Sequence, residues 1–375
     1  QTHGYDLAKA AWINRLEFAS AADEKIVRIF HASRHFVERA LALGTVHANV
    51  QRTTVIGVHV ERGRWAEGAQ LRTAVSEAAA GCSDSLAVLV FAEELADTPA
   101  AALLPHIERF LQAVYTYAWA VAVARDNLLM DISIYLLPGA PDSPSAATGV
   151  DMWAGNRSPR VTTAVAMDDT AAALTRLSPQ RLVHAQRDSS APLPAPTNEP
   201  PAAAAVAALG GTFDHLHIGH KLLLTSAALA TTGRLTVGVT DSALLTHKKY
   251  AAYVEPLEQR MAAVRQFLRS LRAPFGELML DVVPISDVAG PAGTDPEISL
   301  LVLTEETAAG AHTIADIRRQ NALQPLAVYT VGLVEDDSAA SKVGSTAIRG
   351  WLEARGGRAR ALDSQLADAL ATLPA

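Results

Sequence analysis

The sequence is poor in cysteine and in long apolar runs. Cys82 is the only cysteine among 375 residues, which excludes an intramolecular disulfide and a thiolate-rich metal site and favours a reducing, cytoplasmic compartment. The longest apolar run, residues 113–124, is too short and too polar to cross a membrane, so we expect no membrane partner. No basic stretch precedes an apolar one near Gln1, and we therefore expect no signal peptide.

Positive charge is also scarce. The chain has 32 basic and 39 acidic residues, a net charge of −7, so we expect no nucleic-acid partner. Hydrophobic residues make up 49% of the chain and charged residues 19%, which excludes a disordered protein. A chain of this length usually forms more than one hydrophobic core, and we therefore expect two domains.

A proline-rich segment divides the chain. Residues 188–202 carry closely spaced prolines and small residues, which predicts an extended linker. Before it, residues 1–187 show both strand and helix periodicities and predict a mixed α/β domain of unknown role. After it, residues 203–375 alternate short apolar strands with helices, which predicts a Rossmann-like, doubly wound parallel sheet. The first helix of this second domain is expected over residues 217–230, with Gly233 after it as the residue that terminates it.

One stretch of the second domain carries most of the chemical signal. It reads Leu209-Gly-Gly-Thr-Phe-Asp-His-Leu-His-Ile-Gly-His-Lys221 and leads from the first strand into the first helix. Gly210 and Gly211 let the backbone approach a ligand. His217 and His220 lie three residues apart and share one face of the first helical turn, where Gly219 keeps the space between them open. Free amides at a helix start favour a bound phosphate.

Other interpretations of this stretch are a polar surface pair and a fragment of a metal site. The double glycine between strand and helix favours a functional site, because glycines and imidazoles after a buried strand have little structural use. The stretch is neither a P-loop nor a dinucleotide fingerprint, and a zinc site would need a third ligand, so we expect no protein-bound metal. His31 and His35, on a predicted helix over residues 24–43, lack the glutamate of a metalloprotease and are interpreted as surface residues.

Two further stretches offer groups for phosphate. Ser345 and Thr346 stand at a predicted helix start with Arg349 one turn later, and the alternative interpretation is an ordinary helix cap. Lys248 and Lys249 follow the second strand, and their alternative is a solvated charge pair. Together with the imidazoles, these side chains predict a cluster of donors for an anionic ligand.

The segment His217-Ile-Gly-His220 is similar to the HxGH signature of the nucleotidyltransferase superfamily, whose enzymes attack the α-phosphate of a nucleoside triphosphate and release pyrophosphate. The longer stretch resembles the phosphopantetheine adenylyltransferases of eukaryotes and archaea, in a monofunctional, fungal-like form. The resemblance covers about residues 203–355 and implies the HxGH nucleotidyltransferase fold. Further stretches agree in order: His247-Lys-Lys-Tyr250, Glu255-Pro-Leu-Glu-Gln-Arg260, Gly290-Pro-Ala-Gly293, Leu301-Val-Leu-Thr-Glu-Glu-Thr307 and Lys342-Val-Gly-Ser-Thr-Ala-Ile-Arg349.

The resemblance implies adenylyl transfer from ATP to 4′-phosphopantetheine, which gives dephospho-CoA and pyrophosphate in coenzyme A synthesis. His220 would donate to the α-phosphate, His217 would support the phosphate cluster, and Lys248 would hold both reacting phosphates. Arg260 is interpreted as structural or supporting, and Gly344 stands where the family commonly has a serine. Mg²⁺ is expected to be carried by the ATP phosphates. The implied ATP-binding residues are Gly210, Gly211, Phe213, His220, Glu306, Ser345, Thr346 and Arg349, and the implied acceptor-binding residues are Thr212 and Lys248.

Alternatives stay open at this point. Another acceptor, such as nicotinamide mononucleotide, would use a similar signature, although the long first stretch and Gly290-Pro-Ala-Gly293 favour phosphopantetheine. A non-catalytic nucleotide-binding scaffold of a complex for coenzyme A synthesis would be expected to lose phosphate-binding residues, which this chain retains. A class I aminoacyl-tRNA synthetase is disfavoured because its Lys-Met-Ser-Lys-Ser motif is missing. No Walker-type loop is present, so the expected protein partners are a separate dephospho-CoA kinase and other enzymes of the pathway.

Overall fold

The computed structural model describes residues 52–65, 69–82, 84–157, 159–167, 169–185, 201–246, 248–332 and 344–356. All of them belong to one compact unit, residues 50–356. The predicted helix over residues 24–43, with His31 and His35, lies outside the described residues, and so do residues 188–200 of the predicted linker. The division into two domains at this linker therefore stays a prediction.

The N-terminal half of the described chain forms a five-stranded parallel sheet with helices between its strands. The strands are β1 (Arg52–Val60), β2 (Ser85–Ala92), β3 (Asp131–Pro138), β4 (Arg160–Met167) and β5 (Arg181–Ala185), and the helices are α1 (Ala69–Ala80), α2 (Ala100–Ala124), α3 (Pro144–Arg157) and α4 (Ala171–Thr175). The strands pair in the order β3-β2-β1-β4-β5. All eight residues of β2 are buried, because a parallel sheet that helices cover hides both sides of its central strands. The predicted α/β character of this region is confirmed.

The C-terminal half forms a second five-stranded parallel sheet. Its strands are β6 (Ala204–Gly211), β7 (Thr231–Thr240), β8 (Met279–Ile285), β9 (Leu300–Thr304) and β10 (Ala327–Val331), and its helices are α5 (Ile218–Ala230), α6 (Leu257–Arg272), α7 (Ala308–Gln320) and α8 (residues 345–356). The strands pair in the order β10-β9-β6-β7-β8, all in parallel. The predicted Rossmann-like parallel sheet is confirmed.

The predicted last residue of the first helix in this half, Ala230, is confirmed, but the role predicted for Gly233 is wrong. Gly233 does not terminate α5 and instead lies inside β7. The β-branched pair Thr231 and Thr232 favours an extended backbone immediately after the helix. A Cβ at Gly233 would lie 2.7 Å from the carbonyl oxygen of Ala205, so the glycine permits close packing of β7 on β6 rather than a helix end.

The strand order reverses next to the first strand of each sheet. In the C-terminal sheet β7 lies on one side of β6 and β9 on the other, so the carboxyl ends of β6 and β9 flank the point where parallel sheets of this kind bind ligands. The two halves share one apolar core, in which α2 packs against α5 and α3 packs against α6. Among the described helices, none combines the length and apolarity needed to cross a membrane.

Candidate active site

The start of α5 places two imidazoles directly after β6. His217 has an extended backbone (φ −94°, ψ 175°) and caps the helix, and its carbonyl accepts a hydrogen bond from the Lys221 amide at 3.0 Å. No side chain caps the first turn, so its amides stay available to a ligand. Because the helix dipole is positive at this end, the position suits an anion.

The two imidazoles are stacked on each other. The ring centroids of His217 and His220 lie 3.8 Å apart with an angle of 24° between their planes. A Cβ at Gly219 would lie 3.3 Å from His217 Cε1 and Nδ1, so the glycine leaves the room that this ring needs. The sequence expectation for Gly219 is therefore confirmed, and the two rings form one paired surface.

Burial favours the neutral form of both imidazoles. Burial, together with the charges of Lys221 and His215, lowers the pKa of His217 to about 3. Burial also lowers the pKa of His220 well below its ordinary value, assisted by His217 and Lys248. In the described part of the chain, Nδ1 of each ring has no hydrogen-bond partner. Unpaired polar atoms of this kind are rare in folded proteins and indicate a place for a ligand.

The first turn of α8 meets the imidazole pair. The Ser345 hydroxyl donates to the carbonyl of Asp214 at 3.0 Å, and its oxygen lies 3.4 Å from His217 Nε2. Thr346 next to it is exposed. The starts of α5 and α8 therefore lie next to each other at His217 and Ser345.

Arg349 holds the site together from inside. Its guanidinium donates to the Asp214 carboxylate at 2.6 Å, to the carbonyl of Lys249 at 2.9 Å and to the Thr346 hydroxyl at 3.1 Å. The residue is only 1% exposed, and Asp214 is fully buried. Protein acceptors thus take three of the five N–H donors of the guanidinium, and the implied contact of Arg349 with ATP stays a prediction.

Phe213, one of the implied ATP-binding residues, is fully buried in the loop before α5, and its contact with ATP stays a prediction. Its ring centroid lies 5.3 Å from that of His220, and a Cβ at Gly211 would come within 3.1 Å of it. Phe213 and His215 both have positive φ angles, 49° and 46°, which is rare for such side chains and typical of functional loops. The Phe213 ring therefore packs against the His220 ring.

The other predicted residues surround this centre. Gly210 and Gly211 end β6, while Lys248 is exposed and close enough to lower the pKa of His220. Glu306 is exposed on the turn that follows β9. The carbonyl of Thr212 accepts a hydrogen bond from Arg260 at 2.6 Å, a contact that agrees with the structural or supporting interpretation of Arg260.

Among the described residues, one group of side chains lies close enough to hold a metal ion. It consists of Asp214, His215 and Glu255, whose ligand atoms lie within 4.8 Å of one another. These atoms already have partners. Asp214 accepts from the Glu255 amide at 2.8 Å, Glu255 accepts from the His215 amide at 2.7 Å, and His215 Nε2 donates to the carbonyl of Tyr253 at 2.7 Å. A metal would have to replace these bonds, so the group does not fit a protein-bound ion and instead fixes the loop before α5.

Sequence reasoning missed two residues of this site. Asp214 joins the first motif to Arg349, 135 residues away, and its only signal was its place inside the motif. Lys221 is the last residue of the motif, but its side chain forms an ion pair with Asp131 in the N-terminal half. Both halves line a cleft of about 250 Å³ next to His217, whose wall includes Asp131, Lys221 and Phe267.

Comparison with known proteins agrees with this geometry. The family described as Cytidylyltransferase-like matches residues 208–350. The phosphopantetheine adenylyltransferase of Saccharomyces cerevisiae is 42% identical over 151 residues, 40% of this chain and 48% of the yeast protein. The match thus spans about half the length of the yeast relative.

Two archaeal relatives are covered almost completely. The phosphopantetheine adenylyltransferase of Pyrobaculum aerophilum is 41% identical over 39% of this chain and 90% of the archaeal protein. That of Methanopyrus kandleri is 34% identical over 39% of this chain and 88% of the archaeal protein. With the HxGH turn, the converging helix starts and these identities in agreement, the chain belongs to the phosphopantetheine adenylyltransferase family of cytidylyltransferase-like proteins.

Proposed function

We propose that the chain transfers the adenylyl group of ATP to 4′-phosphopantetheine and releases pyrophosphate. The observation that carries this proposal is the stacked pair His217 and His220 at the start of α5, facing Ser345 at the start of α8. Relatives that this chain covers to 88% and 90% are phosphopantetheine adenylyltransferases, which supports the choice of acceptor.

The reaction needs no nucleophile from the protein. An oxygen of the acceptor phosphate forms a bond to the α-phosphorus of ATP, the bond from that phosphorus to the bridging oxygen breaks, and pyrophosphate leaves with the electron pair. The barrier comes from repulsion between anions and from aligning them in line. Positioning of reactants can lower such a barrier by roughly 7 to 11 kcal/mol. The protein is therefore expected to supply hydrogen-bond donors at fixed positions.

The side chains divide this work. His220 donates a hydrogen bond from its N–H to the α-phosphate as negative charge builds there. The ring of His217, which is stacked on that of His220, supports the His220 ring. Lys248, exposed beside His220, holds the acceptor phosphate against the α-phosphate. Ser345 and the amides at the start of α8 hold the outer phosphates. Arg349 positions these elements through Asp214.

Neutral imidazoles suit this role. Each neutral ring has one N–H donor and one acceptor nitrogen, so it can donate to a phosphate without carrying a permanent charge. Mg²⁺ is proposed to arrive with ATP as part of the substrate, because the described carboxylates near the site are occupied by protein donors. The cytoplasmic location and the separate dephospho-CoA kinase stay predictions.

The test is an acceptor comparison. The purified chain is incubated with MgATP and 4′-phosphopantetheine, nicotinamide mononucleotide or no acceptor, and pyrophosphate release is measured. We expect release with 4′-phosphopantetheine only, together with dephospho-CoA in equal amount. Preference for nicotinamide mononucleotide would replace the proposed acceptor. Binding of ATP with no release for any acceptor would favour the non-catalytic scaffold.

A further inference from the structure

Lys221 closes the turn that carries both imidazoles. It follows His220 directly, and its amide donates to the carbonyl of His217 at 3.0 Å. Its side chain is almost completely buried, although it ends in an ammonium group. A buried ammonium needs acceptors for all of its protons, so its partners decide where this turn can lie.

All three acceptors of Lys221 come from the N-terminal half. The ammonium donates to a carboxylate oxygen of Asp131, to the carbonyl of Ile132 at 2.8 Å and to the Ser133 hydroxyl at 2.9 Å. We call Asp131, Ile132 and Ser133 the lysine socket. An ammonium has three N–H groups, so the socket uses every donor that Lys221 has.

Asp131 is the charged member of the socket and has a second partner. Its other oxygen accepts from Arg157 at 2.8 Å, at the end of α3. Burial acts to raise the pKa of Asp131, but Lys221 and Arg157 outweigh it and hold the pKa below its ordinary range. The carboxylate is therefore ionised and anchored on one side by α3 while it holds Lys221 on the other.

We propose that Asp131 is a positioning residue for adenylyl transfer, which holds the His217–His220 turn in place through Lys221. This inference rests on the proposed function. Asp131 lies 90 residues before Lys221 in the chain and needs no contact with substrate, because it acts through the lysine alone. The N-terminal half is thereby part of the catalytic apparatus.

The test uses the full chain with three variants and a control. Asp131→Asn removes the charge and keeps the shape, Lys221→Met removes the cation, and a double variant removes both. Asp97→Asn is the control, because Asp97 forms an exposed ion pair with Arg62 within the N-terminal half. The measurements are kcat, KM for ATP and the midpoint of thermal unfolding, with wild type beside each variant.

Asp131→Asn should lower kcat at least about 10-fold and change KM for ATP less than about threefold, because small displacements of donors act on the transition state. The double variant should recover part of the unfolding midpoint that Asp131→Asn loses, since the Lys221 position is then neutral as well, while Arg157 still lacks its counter-ion. Its kcat should stay low, because the anchor is absent. The control should keep kcat within about twofold of wild type.

A purely structural role gives a different pattern. Recovery of kcat together with stability in the double variant would overturn the proposal, and so would an Asp131→Asn protein whose kcat equals that of wild type. If Asp131→Asn alone fails to fold, the kcat of the double variant tests the proposal. An inactive wild-type chain in the same assay would instead refute the proposed function, and this inference with it.

Discussion

The two sheets have the same strand order but different chemistry at the end of their first strands. In the N-terminal sheet His59 lies near the end of β1, with Nδ1 3.0 Å from Asp169 and Nε2 3.3 Å from Glu93. In the C-terminal sheet His217 and His220 face each other, and Nδ1 of each has no partner in the described chain. The topology thus selects a place for a site, and the residues placed there decide whether it can bind an anion.

The difference extends to how each half is used. The C-terminal sheet presents its carboxyl edge to the cleft, whereas the N-terminal half presents the start of β3, where Asp131 holds Lys221. Acidic groups around His59 would repel a phosphate, and the turn that follows β1, residues 61–65, contains Gly63 but no histidine. We therefore assign support to the N-terminal half and chemistry to the C-terminal half.

The largest effect is expected from the buried ion pair of the C-terminal half. Asp214→Asn leaves the guanidinium of Arg349 buried without its counter-ion, and the free energy of unfolding should fall by about 3 to 5 kcal/mol. Urea denaturation measures this loss. Asp151→Asn in the N-terminal half is the control, because its pair with Arg176 is exposed on both sides, and stability should hardly change. Equal losses of unfolding free energy in both variants would contradict a stabilising role for the buried pair of Asp214 and Arg349.

The next effect compares the two histidine environments. His220→Ala should lower kcat by about 10² to 10³-fold, because it removes a donor aimed at the charge of the transition state. His59→Ala, at the matching end of the other sheet, should keep kcat within about twofold of wild type. Pyrophosphate release measures both, and the thermal midpoint confirms that both variants fold. Near-normal turnover of His220→Ala would remove this residue from the proposed chemistry.

A buried acid between the halves should make stability depend on pH. Burial raises the pKa of Glu108 on α2 to about 7, although the hydroxyls of Ser226 and Tyr329 beside it act in the opposite direction. The folded state therefore keeps a proton that the unfolded state loses, and stability should fall as pH rises from about 4.5 to about 7 and then level off. The total fall should be about 3 kcal/mol.

Glu108→Gln should abolish this fall and leave a protein more stable than wild type at pH 8. Denaturation curves measured from pH 4 to pH 8 provide the comparison. Glu77→Gln, on the exposed side of α1, is the matched control and should keep the wild-type pH dependence. An unchanged slope in Glu108→Gln would show that the acid is already ionised in the folded protein.

These comparisons also show where sequence reasoning succeeds. Alternation of apolar strands and helices predicts the parallel C-terminal sheet, because each element is a local pattern. The turn from Gly210 to His220 could be predicted for the same reason, since its glycines, imidazoles and helix start are neighbours in the chain. The strand order of the N-terminal sheet could not, because pairing joins segments that share no local signal.

Burial and long-range pairing limit what sequence reasoning could predict. Phe213 and Arg349 belong to motifs that suggest contact with ATP, but motifs do not reveal that one side chain packs under His220 and the other pairs with Asp214. The pair of Lys221 with Asp131 crosses 90 residues and both halves. Such contacts are set by how the two halves pack, which no single stretch of sequence encodes.

The smallest effect concerns Gly344 at the start of α8. A Cβ added there meets no atom within 4 Å, so a serine fits without rearrangement. Gly344→Ser should stabilise the protein by only a few tenths of a kcal/mol as a helix cap. A hydroxyl that reaches the phosphates would add one hydrogen bond and lower KM for ATP about threefold. Gly155→Ser has equal open space in α3 of the N-terminal half and should leave KM unchanged. Because both positions admit the side chain, a fall in KM confined to Gly344→Ser would locate the triphosphate at α8, and equal KM values would place it elsewhere.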